Sequence, residues 1–158
     1  MQKYVIVHFI ESNNVPHDFN VSEWPLHITL LANFTITSPL GSLIKQLDDF
    51  ATHIRSFELT VDGEDTFGPN RNVAVSLIKP TIEIIKSHDE LARVAISMGA
   101  KFDEPKFMND GFRPHATIQL NSRLKEGQKV IVNAFTLVDM FPDNDINKRR
   151  VIKKFELK

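Results

Sequence analysis

The sequence predicts an α+β fold with a largely antiparallel sheet. About seven strand patterns and two long helical patterns can be read along the chain, and the strand patterns follow one another in runs instead of alternating strictly with helices. Residues 4–10 are apolar throughout, which predicts a strand buried on both faces. The alternating residues 56–62 predict a half-buried strand. The remaining strands are predicted at 25–34, 73–78, 113–121, 130–140 and 150–157.

Two helices are predicted between these strands. Ser38 followed by Pro39 is typical of a helix start, with a capping residue before a first-turn proline. The second helix begins near Pro80 and ends at Gly99, and a capping-box pattern at Ser87 predicts a restart within it. We expect His53 and His88 to lie on solvated helix surfaces. The first helix carries apolar residues with the spacing of an element packed on a sheet: Leu40, Leu43, Ile44, Leu47, Phe50, Ala51 and Ile54.

A short pattern occurs twice, as W-P-L-H-I-T-L-L at 24–31 and as R-P-H-A-T-I-Q-L at 113–120. Side chains alternate between the two faces of a strand, so His27 and Thr29 share one face. In the second copy His115, Thr117 and Gln119 share a face in the same way. Each predicted strand therefore has an apolar back and a His/Thr front.

Coincidence does not readily explain the pair of motifs. With six histidines in the chain, roughly 0.3 accidental His-x-Thr matches are expected. A single copy would be read as a structural histidine beside a threonine. Two copies, both in apolar strand-like runs after a proline, favour a shared functional site.

The composition indicates a single globular domain. The chain has 158 residues, 42% of them hydrophobic, and no cysteine. This predicts one domain, spanning residues 1–158, with a core large enough to fold without disulfides. The absence of cysteine excludes thiolate metal sites and fits a cytoplasmic protein. The N-terminal segment has neither the pattern of a signal peptide nor that of a membrane span.

The charge balance argues against binding to a long nucleic acid. The formal net charge is −1, whereas proteins that grip a duplex usually carry a basic stripe that neutralises phosphates. The one basic cluster, Lys148 to Arg150 followed by Lys153 and Lys154, is predicted to be a solvated strand edge. We therefore expect a small nucleotide or an RNA terminus as the partner, no membrane, and a monomer.

The two motifs resemble those of the 2H phosphoesterase superfamily, in particular its LigT-like branch of 2'-5' RNA ligases and RNA 2',3'-cyclic phosphodiesterases. The segments 67–77 and 112–115 are also similar to that family's loop-then-strand segment and to its lead into the second motif. The resemblance implies a bilobal, pseudo-twofold arrangement of antiparallel sheets with two long helices packed outside. It also implies a central cleft lined by the two H-x-T strands.

The resemblance implies opening of a 2',3'-cyclic phosphate or cleavage of a 2'-5' linkage, and possible reversal as ligation. One of His27 and His115 would act as general base and the other as general acid, because imidazole titrates near neutral pH. Thr29 and Thr117 would donate hydrogen bonds to phosphate oxygens. Arg113 and Gln119 are further candidate substrate contacts. Many relatives carry an Arg five residues after the second His, where this chain has Leu120.

Neither a metal nor a cofactor is expected. A catalytic zinc site needs about three protein ligands, and no further His or Cys accompanies either motif. No Gly-rich phosphate loop is present either, so ATP is not required. Two alternatives to the enzyme stay open: a non-catalytic nucleotide- or RNA-binding module on the same fold, and an α+β domain whose histidines are structural. Phe34, Phe67 and Phe112 are either base-stacking residues or core residues.

Overall fold

The computed structural model describes residues 2–119 and 122–158, and within them the chain forms ten β-strands and two α-helices. Helix α1 spans Leu40–His53 and helix α2 spans Ile82–Ser97. The strands are β1 (Tyr4–Phe9), β2 (Asp18–Asn20), β3 (His27–Thr35), β4 (Phe57–Phe67), β5 (Val73–Ile78), β6 (Lys101–Phe102), β7 (His115–Thr117), β8 (Lys129–Val132), β9 (Ala134–Asp139) and β10 (Lys148–Glu156).

The strands form two antiparallel sheets. The six-stranded sheet has the order β2-β10-β9-β1-β3-β6, and the four-stranded sheet has the order β7-β5-β4-β8. Strand β1 is buried along its whole length, as its continuous apolar run predicted. A common apolar core includes side chains from both sheets and both helices. The α+β prediction and the bilobal arrangement of antiparallel sheets are confirmed.

Helix α1 packs through the predicted stripe, since Leu43, Leu47 and Ala51 are buried and its other apolar residues pack at the edge of the core. The prediction that Ser38 caps the helix and that Pro39 lies in its first turn is wrong. Pro39 is the residue that precedes the helix, and its cap position has no side-chain hydrogen bond. The helix is instead held by its apolar face against β10 and α2.

Helix α2 is one continuous helix, so the predicted restart at Ser87 is wrong. The Ser87 hydroxyl donates to the Glu83 carbonyl at 2.7 Å, one turn back. Thr81 provides the actual cap, its Oγ1 accepting from the Ile84 amide at 3.3 Å. Gly99 follows the helix end with a φ of +79°, a backbone conformation that favours glycine.

Two strand predictions change because the chain bends or changes sheets. The predicted strand 56–62 continues to Phe67 as β4, since Gly63, with a φ of +98°, lies at a register shift that lets the pairing with β5 resume. The predicted single strand 130–140 is divided at Asn133. Its first part, β8, pairs with β4 and its second part, β9, pairs with β1 and β10.

The second motif strand is shorter than predicted. Strand β7 covers His115–Thr117 rather than 113–121, and beyond it Gln119 and Ser122 form an isolated antiparallel bridge. Leu120 and Asn121 lie outside the described residues.

The predicted solvated strand edge is wrong for Arg149. The Lys153 side chain, beyond the part of β10 that pairs with β2, is 42% exposed. Strand β10 lies inside the sheet between β9 and β2. Arg149 is only 8% exposed, and its Nη1 donates to the carbonyls of Met140, Ile146 and Lys148. Within residues 2–119 and 122–158 no helix is long and apolar enough to cross a membrane.

Candidate functional site

The two motif strands meet where the two sheets adjoin. Strand β3 belongs to the six-stranded sheet and β7 is the edge strand of the four-stranded sheet. Cα atoms of β3 and β7 come within 8 Å of one another. The charge of His115 acts on the pKa of His27, so the two imidazoles are close enough to interact. The fold therefore brings together two residues that are 88 positions apart in the chain.

The two histidines have matching hydrogen bonds. Nδ1 of His27 lies 2.8 Å from the Pro25 carbonyl, and Nδ1 of His115 lies 2.8 Å from the Arg113 carbonyl. A carbonyl can only accept, so each Nδ1 donates its proton to the residue two positions earlier. In the neutral imidazole this leaves a lone pair on Nε2, the atom that can take a proton from a substrate. Both rings are half-buried.

An aromatic ring packs against each imidazole. The Trp24 ring centroid lies 4.5 Å from that of His27, and the Phe67 centroid lies 4.6 Å from that of His115. Phe9 approaches His27 from β1, with its centroid at 6.0 Å. These rings limit the rotation of the imidazoles and remove part of their surface from water.

Burial lowers the pKa of both histidines. The pKa of His27 is lowered to about 4, mainly by desolvation and also by the charge of His115, while the hydrogen bond to Pro25 opposes both effects. Desolvation is also the largest cause of the lowered pKa of His115, and the nearby Arg113 charge acts in the same direction. Without a bound anion, both imidazoles are therefore neutral at pH 7.

Thr29 and Thr117 lie on the faces predicted for them. Each is half-buried, and the neighbours Ile28 and Ala116 point into the core. Gln119 lies further along from Thr117, and its Nε2 donates to the Thr117 carbonyl at 3.3 Å. The predicted alternation therefore places His27 and Thr29 on one face of β3, and His115 and Thr117 on one face of β7.

Arg113 lies at the rim of the site next to Phe67. Its Nη2 is 3.2 Å from Asp65 Oδ2, and its guanidinium carbon is 4.9 Å from the Phe67 ring centroid. Arg71 pairs with the other oxygen of Asp65, also at 3.2 Å. The side chain of Arg113 is 58% exposed, so the ion pair leaves guanidinium donors accessible. Two arginines share one carboxylate, and the rim near His115 is therefore positive.

Trp24, Asp65 and Arg71 were not singled out from the sequence as site residues. Trp24 stands three residues before His27, and this position relative to a motif was the only available signal. Asp65 and Arg71 belong to the β4–β5 hairpin, whose approach to β7 is a tertiary feature. Of the three candidate stacking phenylalanines, Phe67 is at the site and Phe34 is in the core.

His88 is buried, which corrects the prediction that it is solvated; His53 is exposed as predicted. The His88 ring is 1% exposed and stacks on Phe112 at a centroid distance of 3.9 Å. Its Nδ1 donates to the Leu30 carbonyl at 2.8 Å, and its Nε2 accepts from the Asn109 amide at 3.0 Å. Neutral His88 thus links α2 to β3 and to the segment that leads into His115.

Replacing His88 by phenylalanine is expected to destabilise the protein by about 2–6 kcal/mol. The new ring keeps the stacking on Phe112 but leaves the Leu30 carbonyl and the Asn109 amide without their buried partner, at about 1–3 kcal/mol each. Urea denaturation measures the change. His53→Phe, on an exposed surface of α1, is the control and should change stability by less than about 0.5 kcal/mol. Equal effects of the two variants would contradict the linking role of His88.

The same variant tests the charge state of His88. Desolvation lowers its pKa in the folded protein, although the Leu30 carbonyl and Asp89 oppose this. Neutral His88 therefore contributes its full stabilisation above pH 6.5, the pKa of histidine in the unfolded chain. That stabilisation is lost as the pH falls through the lower pKa that His88 has in the folded protein. The fall in unfolding free energy below pH 6.5 should therefore be shallower in His88→Phe than in the wild type.

The described residues contain no grouping of three or more His, Cys, Asp or Glu side chains that could hold a metal ion. The candidate side chains at the β3–β7 junction are two imidazoles, two hydroxyls and an amide, with two arginines at the rim. This set can transfer protons and donate hydrogen bonds to an anion.

Comparison with known proteins agrees with this arrangement. The model of the 2'-5' RNA ligase superfamily matches residues 5–139. No curated protein sequence matches significantly. Among solved structures, one described as a phosphoesterase is 20% identical, with a TM-score of 0.63, over 100% of this chain and 99% of its own.

Two further structures are similar over nearly their whole lengths. E. coli LigT complexed with 3'-AMP is 18% identical with a TM-score of 0.60, and the match covers 99% of this chain and 98% of that one. TT0787 of Thermus thermophilus is 19% identical with a TM-score of 0.58, at the same coverage. At these identities the likeness establishes the fold. The family match covers most of the sequence, and the chain therefore belongs to the 2'-5' RNA ligase superfamily.

Proposed function

We propose that this protein is a metal-independent phosphodiesterase that opens 2',3'-cyclic phosphates or cleaves 2'-5' linkages on RNA ends or small nucleotides. The observation that carries the proposal is the pair of equivalent imidazoles at the β3–β7 junction. Each has its Nδ1 proton fixed on a carbonyl and its Nε2 available for proton transfer. Membership of the 2'-5' RNA ligase superfamily supports phosphoester chemistry at this position.

The proposed reaction uses one histidine for each proton. In the opening of a cyclic phosphate, water attacks phosphorus and a ribose oxygen leaves. We assign the general base to His27, because its strongly lowered pKa keeps the imidazole neutral. His115 then carries the proton that the leaving oxygen receives, since the negative charge of a bound phosphate raises the pKa of a neighbouring imidazole. The roles exchange in the reverse, ligating direction.

The remaining side chains bind the phosphate. The Thr29 and Thr117 hydroxyls can donate to the non-bridging oxygens, which gain charge in the transition state. Arg113 supplies a cation from the rim next to His115, and Gln119 extends the polar face beyond Thr117. Arg113 would thus replace the cationic support that many relatives place where this chain has Leu120.

The charge of the chain and the ligands of similar structures support the proposed class of substrate. Crystal structures of E. coli LigT hold 3'-AMP, ATP and NADP+, and this supports small nucleotides as ligands here. A formal net charge of −1 favours a nucleotide or an RNA terminus over a long duplex. We propose further that residues 1–158 act as one domain, as a monomer and in the cytoplasm.

The dependence of kcat/KM on pH is expected to be bell-shaped with its maximum below pH 6.5. The active free enzyme must hold one proton on the histidine pair, and both pKa values are lowered, that of His27 to about 4. Activity should rise as His27 loses its proton and fall as His115 loses its own. Initial rates at low substrate concentration measure this, and a maximum above pH 8 would contradict the assignment.

The direct test is hydrolysis of the four nucleoside 2',3'-cyclic phosphates, of cyclic-phosphate-ended oligonucleotides and of 2'-5' oligoadenylates in the presence of EDTA. We expect hydrolysis of at least one of these classes of substrate, at a rate that EDTA does not change. Loss of activity in EDTA that added Mg²⁺, Mn²⁺ or Zn²⁺ restores would contradict a metal-independent mechanism.

The alternative is a nucleotide- or RNA-binding module that does not catalyse turnover. The observation that favours it is Leu120 at the position where many relatives carry an arginine. It predicts saturable binding of a nucleotide together with no detectable product under all the conditions of the direct test. Multiple turnovers of any of the substrates would exclude it.

A further inference from the structure

A cavity of about 380 Å³ lies beside the histidine pair, within the range of about 300–1,000 Å³ typical of small-molecule sites. It lies between the chain after β1, the turn that leads into β3 and the chain after β7. The polar residues that line it are Glu11, Asn14, Ser22, Glu23, Gln119 and Ser122, and the aromatic one is Trp24.

Two residues that line the cavity also contact residues of the candidate active site. Trp24 packs on the His27 ring at 4.5 Å and also lines the cavity. Gln119 donates to the carbonyl of Thr117 and lines the cavity from the other side. A group bonded to a phosphate at the histidines can therefore extend into this space.

The residues that line the cavity carry negative charge, whereas the rim of the candidate active site near His115 carries positive charge. Glu11 and Glu23 are the charged side chains among the described residues that line the cavity. Asn20 donates to Glu23 at 2.7 Å and holds that carboxylate in place. The Arg149 guanidinium carbon lies 5.8 Å from the Trp24 ring centroid. Its Nη1 donates to three backbone carbonyls, and Arg149 is only 8% exposed and is not among the residues that line the cavity. By contrast, the rim near His115 carries Arg113.

These contacts suit an uncharged group with several hydrogen-bond donors. An indole ring can contact a base, the amides of Asn14 and Gln119 can bond to its polar edge, and carboxylates accept from ribose hydroxyls or exocyclic amines. A phosphate in the same place would face the carboxylates of Glu11 and Glu23, which are both exposed, so the repulsion acts through water and is modest.

We propose that this cavity binds the uncharged nucleoside group of the substrate, and that Glu11 and Glu23 disfavour substrates with a phosphate at the 5' position of that nucleoside. This proposal rests on the proposed function, because it assumes that the phosphate of the substrate binds between His27 and His115. It narrows the proposed substrates to small nucleotides, with 5'-hydroxyl preferred over 5'-phosphate nucleoside 2',3'-cyclic phosphates, because the terminal nucleoside of an RNA strand carries a negatively charged phosphodiester at its 5' position.

The kinetic test compares these two substrates. We expect kcat/KM to be about tenfold higher for adenosine 2',3'-cyclic phosphate with a 5'-hydroxyl than with a 5'-phosphate. In Glu11→Gln/Glu23→Gln the ratio should fall to about twofold, mainly through faster reaction of the 5'-phosphorylated substrate. The control Glu58→Gln/Glu83→Gln removes two charges elsewhere and should keep the wild-type ratio. No preference in the wild type, or equal ratios in both variants, would overturn the proposal.

A binding test separates this subsite from the catalytic proposal. Trp24 is the only tryptophan, so its fluorescence reports on the cavity without turnover. Adenosine, guanosine, cytidine and uridine carry no phosphate, and we expect a saturable change with at least one of them. Ser22→Phe, which places a ring at the cavity wall, should weaken that binding about tenfold or more. A response without any hydrolysis would refute the proposed function and retain the subsite, whereas no response to any of the four would overturn the subsite.

Discussion

Replacing His27 or His115 by alanine is expected to reduce kcat/KM by about 10²–10⁴-fold in each case. Each substitution removes the Nε2 that we propose transfers a proton, and the other side chains proposed for the site are hydroxyls, an amide and a guanidinium, which do not titrate near neutral pH. The two losses should not multiply, because base and acid act in the same step. The double variant should therefore be only slightly less active than the weaker single variant. Steady-state rates on the best cyclic phosphate measure all three.

The control for this prediction is His53→Ala, an exposed histidine of α1, which should retain wild-type activity. Stability must be measured in parallel. The His27 and His115 side chains each donate one hydrogen bond to a carbonyl, so each alanine variant should lose only about 1 kcal/mol. Large losses of stability with unchanged specific activity would mean that the histidines are structural. Full activity in both variants would refute the catalytic assignment.

Replacing Thr29 or Thr117 by valine is expected to lower kcat by about 10²–10³-fold, the usual effect of removing one transition-state hydrogen-bond donor. Valine keeps the branched shape and the strand propensity of threonine but cannot donate a hydrogen bond. Serine keeps the hydroxyl, so Thr29→Ser and Thr117→Ser should retain activity within about tenfold. The comparison of valine with serine at each position isolates the donor.

The matching control is Thr60→Val on β4, a half-buried strand threonine that lies outside the two motifs. Its hydroxyl accepts from Lys129 Nζ at 2.9 Å, and its loss should leave kcat unchanged. If the valine and serine variants at Thr29 and Thr117 were equally active, the hydroxyls would not bind the phosphate. If KM rose while kcat stayed constant, they would bind substrate and transition state equally.

The sequence predicted the features that depend on near neighbours. The alternation along 27–31 and 115–119 placed His and Thr on one face of each strand, because strand geometry fixes side-chain direction with a period of two. The apolar spacing along α1 likewise predicted its buried face. The repeat of the motif, together with the family resemblance, predicted which two strands belong to one site.

Other features depended on contacts between distant parts of the chain. The pattern of 130–140 is that of one strand, yet the chain changes sheets at Asn133 because β4 and β1 offer edges in different sheets. The spacing of apolar residues along α2 does not determine whether His88 is buried or exposed. Its burial follows from Leu30, Asn109 and Phe112, which surround it in the folded protein.

By itself, then, the sequence determined the strand faces, the helical core stripe and the pair of His-Thr motifs, since these follow from residues two to four positions apart. Only the tertiary structure decided how the two motifs differ. The deeper burial of His27, the rings of Trp24 and Phe67 and the positive rim at Arg113 arise from residues brought together across the sheets, and desolvation at that junction separates the two pKa values.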